Sequence, residues 1–155
     1  MHDSFLSENI QFVQMSAEML PLILVIENQS YPVSWSEQIF KDCIKSNYLC
    51  QVLKIDGTIV GYYVVQNIID EYHILNICVA PDFLTKGLGR LLLNAILKRA
   101  EAAAMNRILL EVRASNKVAR KLYVSSGFHI IGKRKGYYPI FEGREDAHVM
   151  ELALP

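Results

Sequence analysis

Glu111 and Tyr123 stand twelve residues apart in the stretch LEVRASNKVARKLY (110–123), and their chemistry would let them move protons in opposite directions. Glu111 lies near the end of an apolar run, RILLEV (107–112), that reads as a strand buried on both faces. A carboxylate at the C-terminal end of such a strand adjoins the crevice where open α/β sheets bind ligands. Partly desolvated there, it has a raised pKa and can take a proton near neutrality, directly or through a water. The plainer alternative is an ion pair with Arg113, Arg120 or Lys121. Tyr123 falls two turns into a helix that begins at Asn116, about 10 Å along the axis from the cap. A phenol with a pKa of about 10 is protonated at neutrality and can supply a proton to a departing thiolate whose pKa is about 8.5. Its plainer alternative is a core tyrosine with the hydroxyl at the surface.

A third feature is KGLGRLLL (86–93), which follows a strand and opens a helix. Two glycines let the backbone approach a ligand closely, and the unbonded N–H groups of a helix's first turn favour a phosphate. It is not a dinucleotide fingerprint, because the third glycine position holds Leu92, and no Gly-Lys-Ser/Thr follows to make a P-loop. The glycines could also serve only a tight turn.

Positioning these groups requires a sheet with helices upon it. IQFVQM (10–15) alternates like a first strand, and a helix follows from Ser16 to about Asn28, with Pro21 tolerable only in its first turn. Ser36 caps a second helix to about Ser46, with Ile39, Phe40 and Cys43 on its apolar face. From Tyr48 the period becomes two: YLCQVLKI, the turn Asp56–Gly57 and TIVGYYVVQNI make a hairpin, and EYHILNICVA (71–80) is a third strand stopped by Pro81. A helix from about Gly87 to Ala104 carries Leu88, Leu91, Leu92, Ala95, Ile96 and Arg99 at helical spacing. The helix from Asn116 to Ser126 stops at Gly127, and FHIIGKRKGYY and AHVMELAL supply two last strands in which His129 and His148, like His73 earlier, read as ordinary strand residues. A strand–helix–strand unit over 71–112 implies parallel pairing at the centre of an α/β or α+β sandwich.

Composition narrows the function classes. The 155 residues suit one domain, 1–155, and 52% apolar with 21% charged residues is globular rather than disordered. Sixteen basic and sixteen acidic residues cancel, so no global field argues for nucleic acid. Cys43, Cys50 and Cys78 are widely spaced and suggest neither a disulfide framework nor a zinc site, so no metal is expected. The apolar stretch MLPLILVI (19–26) is far short of the roughly 20 residues that span a bilayer, and MHDSFLSEN does not read as a signal peptide, so a soluble, cytoplasmic protein with no membrane partner is expected.

Taken together, ICVAPDFLTKGLGRLLL (77–93), LEVRASNKVARKLYVSSGF (110–128) and KGYYPIFEGREDAHVMEL (135–152) resemble the GNAT N-acetyltransferases, and among them the bacterial ribosomal-protein-alanine N-acetyltransferase family. The resemblance covers roughly residues 10 to 153. It implies a mixed, mostly antiparallel seven-stranded sheet, split at its centre and flanked by about four helices, with acetyl-CoA as co-substrate and no metal. It implies that the strand at Ile77, Cys78 and Val79 bulges and bonds the pantetheine arm through its backbone, and that Thr85, Lys86, Gly87, Leu88, Gly89 and Arg90 cradle the pyrophosphate. It places Asn116 near the thiol end of the cofactor, Glu111 as general base and Tyr123 as general acid. The amine would attack the thioester carbonyl directly, with backbone N–H from the bulged strand polarising it.

The substrate implied by the resemblance is the N-terminal alanine of a small-subunit ribosomal protein, with no direct contact to nucleic acid. Tyr31 and Trp35 in YPVSWSEQIF (31–40), and Tyr137 and Tyr138 in GYYPIFEG (136–143), expected as a long loop between the last strands, would line a slot for an extended peptide end. Trp35 could equally be a core anchor stapling the second helix. Two other functions compete: a broader acetyltransferase of protein N-termini or lysines, and a module that binds acyl-CoA without turnover. One departure stands out, because the superfamily's usual Gln or Arg three residues before the first glycine is here Leu84, which cannot donate a side-chain hydrogen bond.

Overall fold

The computed structural model describes residues 9–140 and 143–155; the stretch MHDSFLSEN, except for its last residue, and Phe141 and Glu142 of the expected substrate loop lie outside the described residues. In chain order the elements are β1 (Ile10–Gln14), a 3₁₀ turn (Ala17–Met19), α1 (Leu20–Ser30), α2 (Glu37–Lys45), β2 (Leu49–Ile55), β3 (Thr58–Ile68), β4 (Glu71–Val79), a second 3₁₀ turn (Pro81–Phe83), α3 (Leu88–Ala102), β5 (Arg107–Arg113), α4 (Lys117–Ser125), β6 (His129–Ile140) and β7 (Gly143–Ala153). The strands form a seven-stranded sheet in the order β1-β2-β3-β4-β5-β7-β6. The β1–β2, β2–β3, β5–β7 and β6–β7 pairs are antiparallel, and β4–β5 is parallel over Glu71↔Arg107 to Ile74↔Leu110. This is the mixed, mostly antiparallel sheet that the family resemblance implied, with four α-helices among the described residues.

The chain falls into two compact units, one comprising residues up to 65 together with 76–95, the other 66–75 with 96–155. Local signals account for most of the first. Pro21 sits in the first turn of α1, where its missing N–H costs nothing. Ser36 caps α2 by accepting a hydrogen bond from the Ile39 N–H at 3.3 Å. The hairpin turns through Asp56 and Gly57, both at positive φ (50° and 81°), the geometry that matches strand twist. Phe40 and Cys43 are buried as expected, but Ile39 is 41% exposed, because the buried face of α2 is centred on the other two. On α3, Leu88 and Leu92 are buried together with Leu93, while Leu91 is only half-buried.

At Gly61 of β3 there is no room for a side chain. A Cβ placed there would lie 2.7 Å from the Cys78 carbonyl oxygen and 3.2 Å from Leu92 Cδ1. The first of these is backbone, which cannot swing aside. Gly61→Ala therefore forces β3 and this part of β4 apart, with an expected loss of about 1–3 kcal/mol, read as a lower urea midpoint at unchanged slope.

In the second unit, β5 corrects the expectation of a strand buried on both faces. Ile108, Leu110 and Val112 are buried, whereas Arg107, Leu109, Glu111 and Arg113 are only half-buried. Alternate residues of a strand point to opposite faces. One face of β5 joins the core with Tyr72, Ile74, Tyr123, Phe128 and Met150, and the other is left partly open for polar groups. α4 begins after Asn116, whose Oδ1 accepts from the Ala119 N–H at 3.2 Å, and ends before Gly127 at φ 102°. Residues 136–138 close the expected strand FHIIGKRKGYY, and β6 runs on through Pro139 and Ile140, which were expected in the long loop, paired to β7 at Tyr138↔Glu145 and Ile140↔Gly143. Between Arg134 and Tyr138 the register slips, with Gly136 at φ 60° and its N–H bonded to Asp146 Oδ1 at 2.8 Å. A bulge of this kind keeps the strand continuous while re-aiming its side chains.

Candidate active site

On the open face of β5, Glu111 Oε2 lies 2.7 Å from His73 Nε2, and Oε1 lies 3.5 Å from Arg134 Nη2. The Glu111 side chain is 10% exposed. Burial pushes its carboxyl upward, but the hydrogen bond and charge of His73 and the charge of Arg134 outweigh that, so the pKa falls below its ordinary value. The raised pKa expected from desolvation alone is thus reversed. Two of the expected alternative partners, Arg113 and Arg120, are engaged elsewhere. Arg113 pairs with Glu145 at 3.1 Å, donates to the Pro139 carbonyl at 3.2 Å and stacks over the Tyr138 ring at 4.4 Å; Arg120 donates to the Ala114 carbonyl at 2.8 Å.

His73 is the functional candidate that sequence reasoning passed over. It alternates with apolar neighbours like any strand histidine, and only the parallel register that sets His73 beside Leu109, on the face of Glu111, gives it a role.

Tyr123 is buried, its ring 5.7 Å from that of Phe128. Burial, and then the neighbouring Tyr138, push its phenol above the ordinary value. Tyr138 is raised as well, by burial first and then by the negative charge of Glu111. Tyr138 is therefore electrostatically linked to both Glu111 and Tyr123. Its ring meets that of Tyr137 edge-on at 4.9 Å, and Arg134 lies over Tyr137 at 5.2 Å. The second unit thus gathers Glu111, Tyr123, Tyr137 and Tyr138, and adds His73 and Arg134. Asn116, expected near a cofactor thiol, uses its side-chain oxygen to cap α4.

In the first unit, the expected cofactor residues occupy one strand end and one helix start. Along β4, Cys78 is buried and Ile77 and Val79 are half-buried. Residues 84–87 are exposed, Thr85 and Gly87 adopt positive φ (63° and 79°), and nothing lies within 4 Å of a Cβ built at Gly87. Leu88, with its side chain buried, begins α3; Gly89 is half-buried and Arg90 exposed. An open loop leading into a fifteen-residue helix suits a diphosphate, through first-turn N–H groups and the helix dipole. Lys86 adds an exposed side chain of the matching sign. Leu84, 53% exposed, has no side-chain donor, and its backbone N–H donates to the Pro81 carbonyl at 3.4 Å.

The Tyr31 hydroxyl donates to the Ile77 carbonyl at 2.8 Å. Trp35 packs edge-on against Phe40 at 5.2 Å, spanning the position before the cap of α2 and its fourth residue, so it does staple this helix. The three cysteines are buried thiols, with Cys50 pushed up to about 12 by burial and then by Cys43, and among the described residues no cluster of His, Cys, Asp or Glu could hold a metal ion. No described helix is long and apolar enough to cross a membrane.

The sheet order and its four helices give the fold, and comparison with known proteins gives the class. The family model described as "Acetyltransferase (GNAT) family" matches residues 17–128, and the chain belongs to that family and is an acetyltransferase. It is 37% identical over 140 residues to the [ribosomal protein bS18]-alanine N-acetyltransferase of Salmonella typhimurium, covering 90% of this chain and 95% of that protein. It is 38% identical over 135 residues to the enzyme of the same name from Escherichia coli K12, covering 87% and 91%. The crystal structure of the ribosomal-protein-S18-alanine N-acetyltransferase from Escherichia coli superposes with a TM-score of 0.87 at 35% identity, covering 94% of each chain.

Proposed function

We propose that this acetyltransferase moves the acetyl group of acetyl-CoA onto the N-terminal α-amine of a ribosomal protein, alanine first, in the cytoplasm. The substrate reading rests on the relatives, whose names specify the alanine of ribosomal protein bS18. The observation that carries the chemistry is Glu111, a carboxylate kept ionised by His73 and Arg134 on the open face of β5.

A carboxylate so stabilised is a weak base and needs an amine that is already substantially neutral. An α-amine with a pKa of about 7.8 is roughly one third neutral at pH 7.5, whereas a lysine near 10.4 is neutral in roughly one molecule per thousand. That difference favours a protein N-terminus over a lysine. Once the neutral nitrogen has attacked, its N–H becomes strongly acidic, and Glu111 accepts the proton directly or through a water.

Acetyl-CoA supplies an activated acyl group on a thiol leaving group. The exposed loop Thr85–Arg90 and the start of α3 would hold its diphosphate, and the backbone of Ile77, Cys78 and Val79 would meet its pantetheine arm. Asn116 would approach the thiol end through the amide nitrogen that its capping role does not use. Tyr123 would protonate the departing sulfur, and Tyr31 and Trp35 in the first unit, like Tyr137 and Tyr138 in the second, are assigned to the peptide.

The test is mass-spectrometric product analysis with acetyl-CoA and two peptides of equal length. One begins with a free alanine, and the other has a blocked N-terminus and an internal lysine. A single acetyl on the first and none on the second is the expected result. Equal transfer to the lysine peptide overturns the α-amine assignment, and binding of acetyl-CoA without any turnover reduces the protein to a binding module.

A further inference from the structure

Glu27 of α1 is the one buried carboxylate among the described residues, 1% exposed. A carboxylate taken out of water is costly unless its oxygens are hydrogen-bonded, and apolar side chains would fill the same space more cheaply. Here both oxygens are engaged by different parts of the chain. Oε1 accepts from the Tyr62 hydroxyl at 2.7 Å and from Asn76 Nδ2 at 3.0 Å, and Oε2 accepts from the backbone N–H of Trp35 at 2.9 Å. Asn76 carries the network onward, because its Oδ1 lies 3.4 Å from the Tyr31 hydroxyl that also donates to the Ile77 carbonyl. The segment from Tyr31 to Trp35 is therefore tied at both ends, at one end to Glu27 itself and at the other to β4, whose Asn76 Glu27 holds.

We infer that Glu27 is a positioning residue that fixes the Tyr31–Trp35 segment in the shape that receives the peptide acceptor, so that acceptor binding depends on Glu27 while the transfer step does not. The inference rests on the assignment of that segment to the substrate under the proposed function. Tyr62 serves the same carboxylate from β3, and Tyr62→Phe removes that hydrogen bond while keeping the ring against Phe40, so it separates positioning from general stability.

The experiment compares wild type, Glu27→Leu, Glu27→Gln and Tyr62→Phe on the alanine-first peptide, alongside acrylamide quenching of Trp35, the only tryptophan in the sequence. Glu27→Leu is expected to raise the peptide KM by about tenfold or more with kcat within about threefold, and to increase the quenching of Trp35. Glu27→Gln keeps an oxygen for the Trp35 N–H, and its amide can donate to the Tyr62 oxygen but not accept from Asn76 Nδ2, so it should recover part of the loss. Tyr62→Phe should lower the urea midpoint yet leave the peptide KM near that of wild type. Should Glu27→Leu not fold, Glu27→Asp carries the same expectation, because a side chain one methylene shorter cannot reach both donor sets.

A peptide KM raised no more by Glu27→Leu or Glu27→Asp than by Tyr62→Phe overturns the inference, as does unchanged quenching. A wild type with no turnover sinks the proposed function instead. Quenching alone then decides whether Glu27 holds the segment.

Discussion

Glu111→Gln lowers the rate of acetyl transfer to an alanine-first peptide by about 100-fold or more while acetyl-CoA binding stays within about threefold of wild type. The glutamine occupies the same volume and can still accept from His73 Nε2, so the open face of β5 is expected to keep its shape. It loses the capacity to hold a proton and the charge that Arg134 faces at 3.5 Å. The pH dependence sharpens the assignment. Because the folded carboxyl of Glu111 lies below its ordinary value, it is ionised throughout the neutral range, and the ionised form is lost only as the pH falls through the lowered value. The acid limb of the wild-type profile in the neutral range should therefore follow the substrate amine, with a pKa of about 7.7–8.0, and not Glu111. Steady-state rates between pH 6 and 9 check this, and a Glu111→Gln variant within a few fold of wild type at every pH would exclude Glu111 as the base.

Tyr123→Phe is expected to lower kcat by about 100-fold with little change in the peptide KM, because it removes a proton donor needed only as the thiol departs. Burial pushes the phenol above its usual range, which makes it a weaker acid in isolation. The same loss of water destabilises a thiolate formed beside it, so the two groups shift in the same direction and the proton can still pass. The ring remains in the phenylalanine variant and can keep its contact with Phe128, so the urea midpoint should move little. Product formation in a single turnover locates the defect: a slow chemical step supports the acid role, whereas a normal step with slow product release removes it.

Several elements were legible because their causes are local. The Asp56–Gly57 turn, the Ser36 and Asn116 caps, the stop at Gly127 and the place of Pro21 are each decided within a few residues, and all appear as expected. Glu111 and Tyr123 were singled out by residue type, spacing and family motif. The surroundings of Glu111 were not, and the expected direction of its pKa was wrong for that reason. Desolvation can be inferred from a strand pattern, but the two groups that overcome it come from a neighbouring parallel strand and from an edge strand. Nothing in their own vicinity in sequence points to Glu111.

The sequence by itself determined the order of the elements, the family and the chemical types available to the site, because hydrophobic period, capping and turn residues act over short spans. The tertiary structure decided that His73, thirty-eight residues away in sequence, meets Glu111, that Pro139 and Ile140 continue β6 instead of looping, and that Glu27 joins Trp35 to Asn76 and Tyr62. Each of these depends on strand register or on which buried donors find an acceptor. Both are settled by packing between distant segments, where the cost of leaving a buried polar group unbonded selects one arrangement.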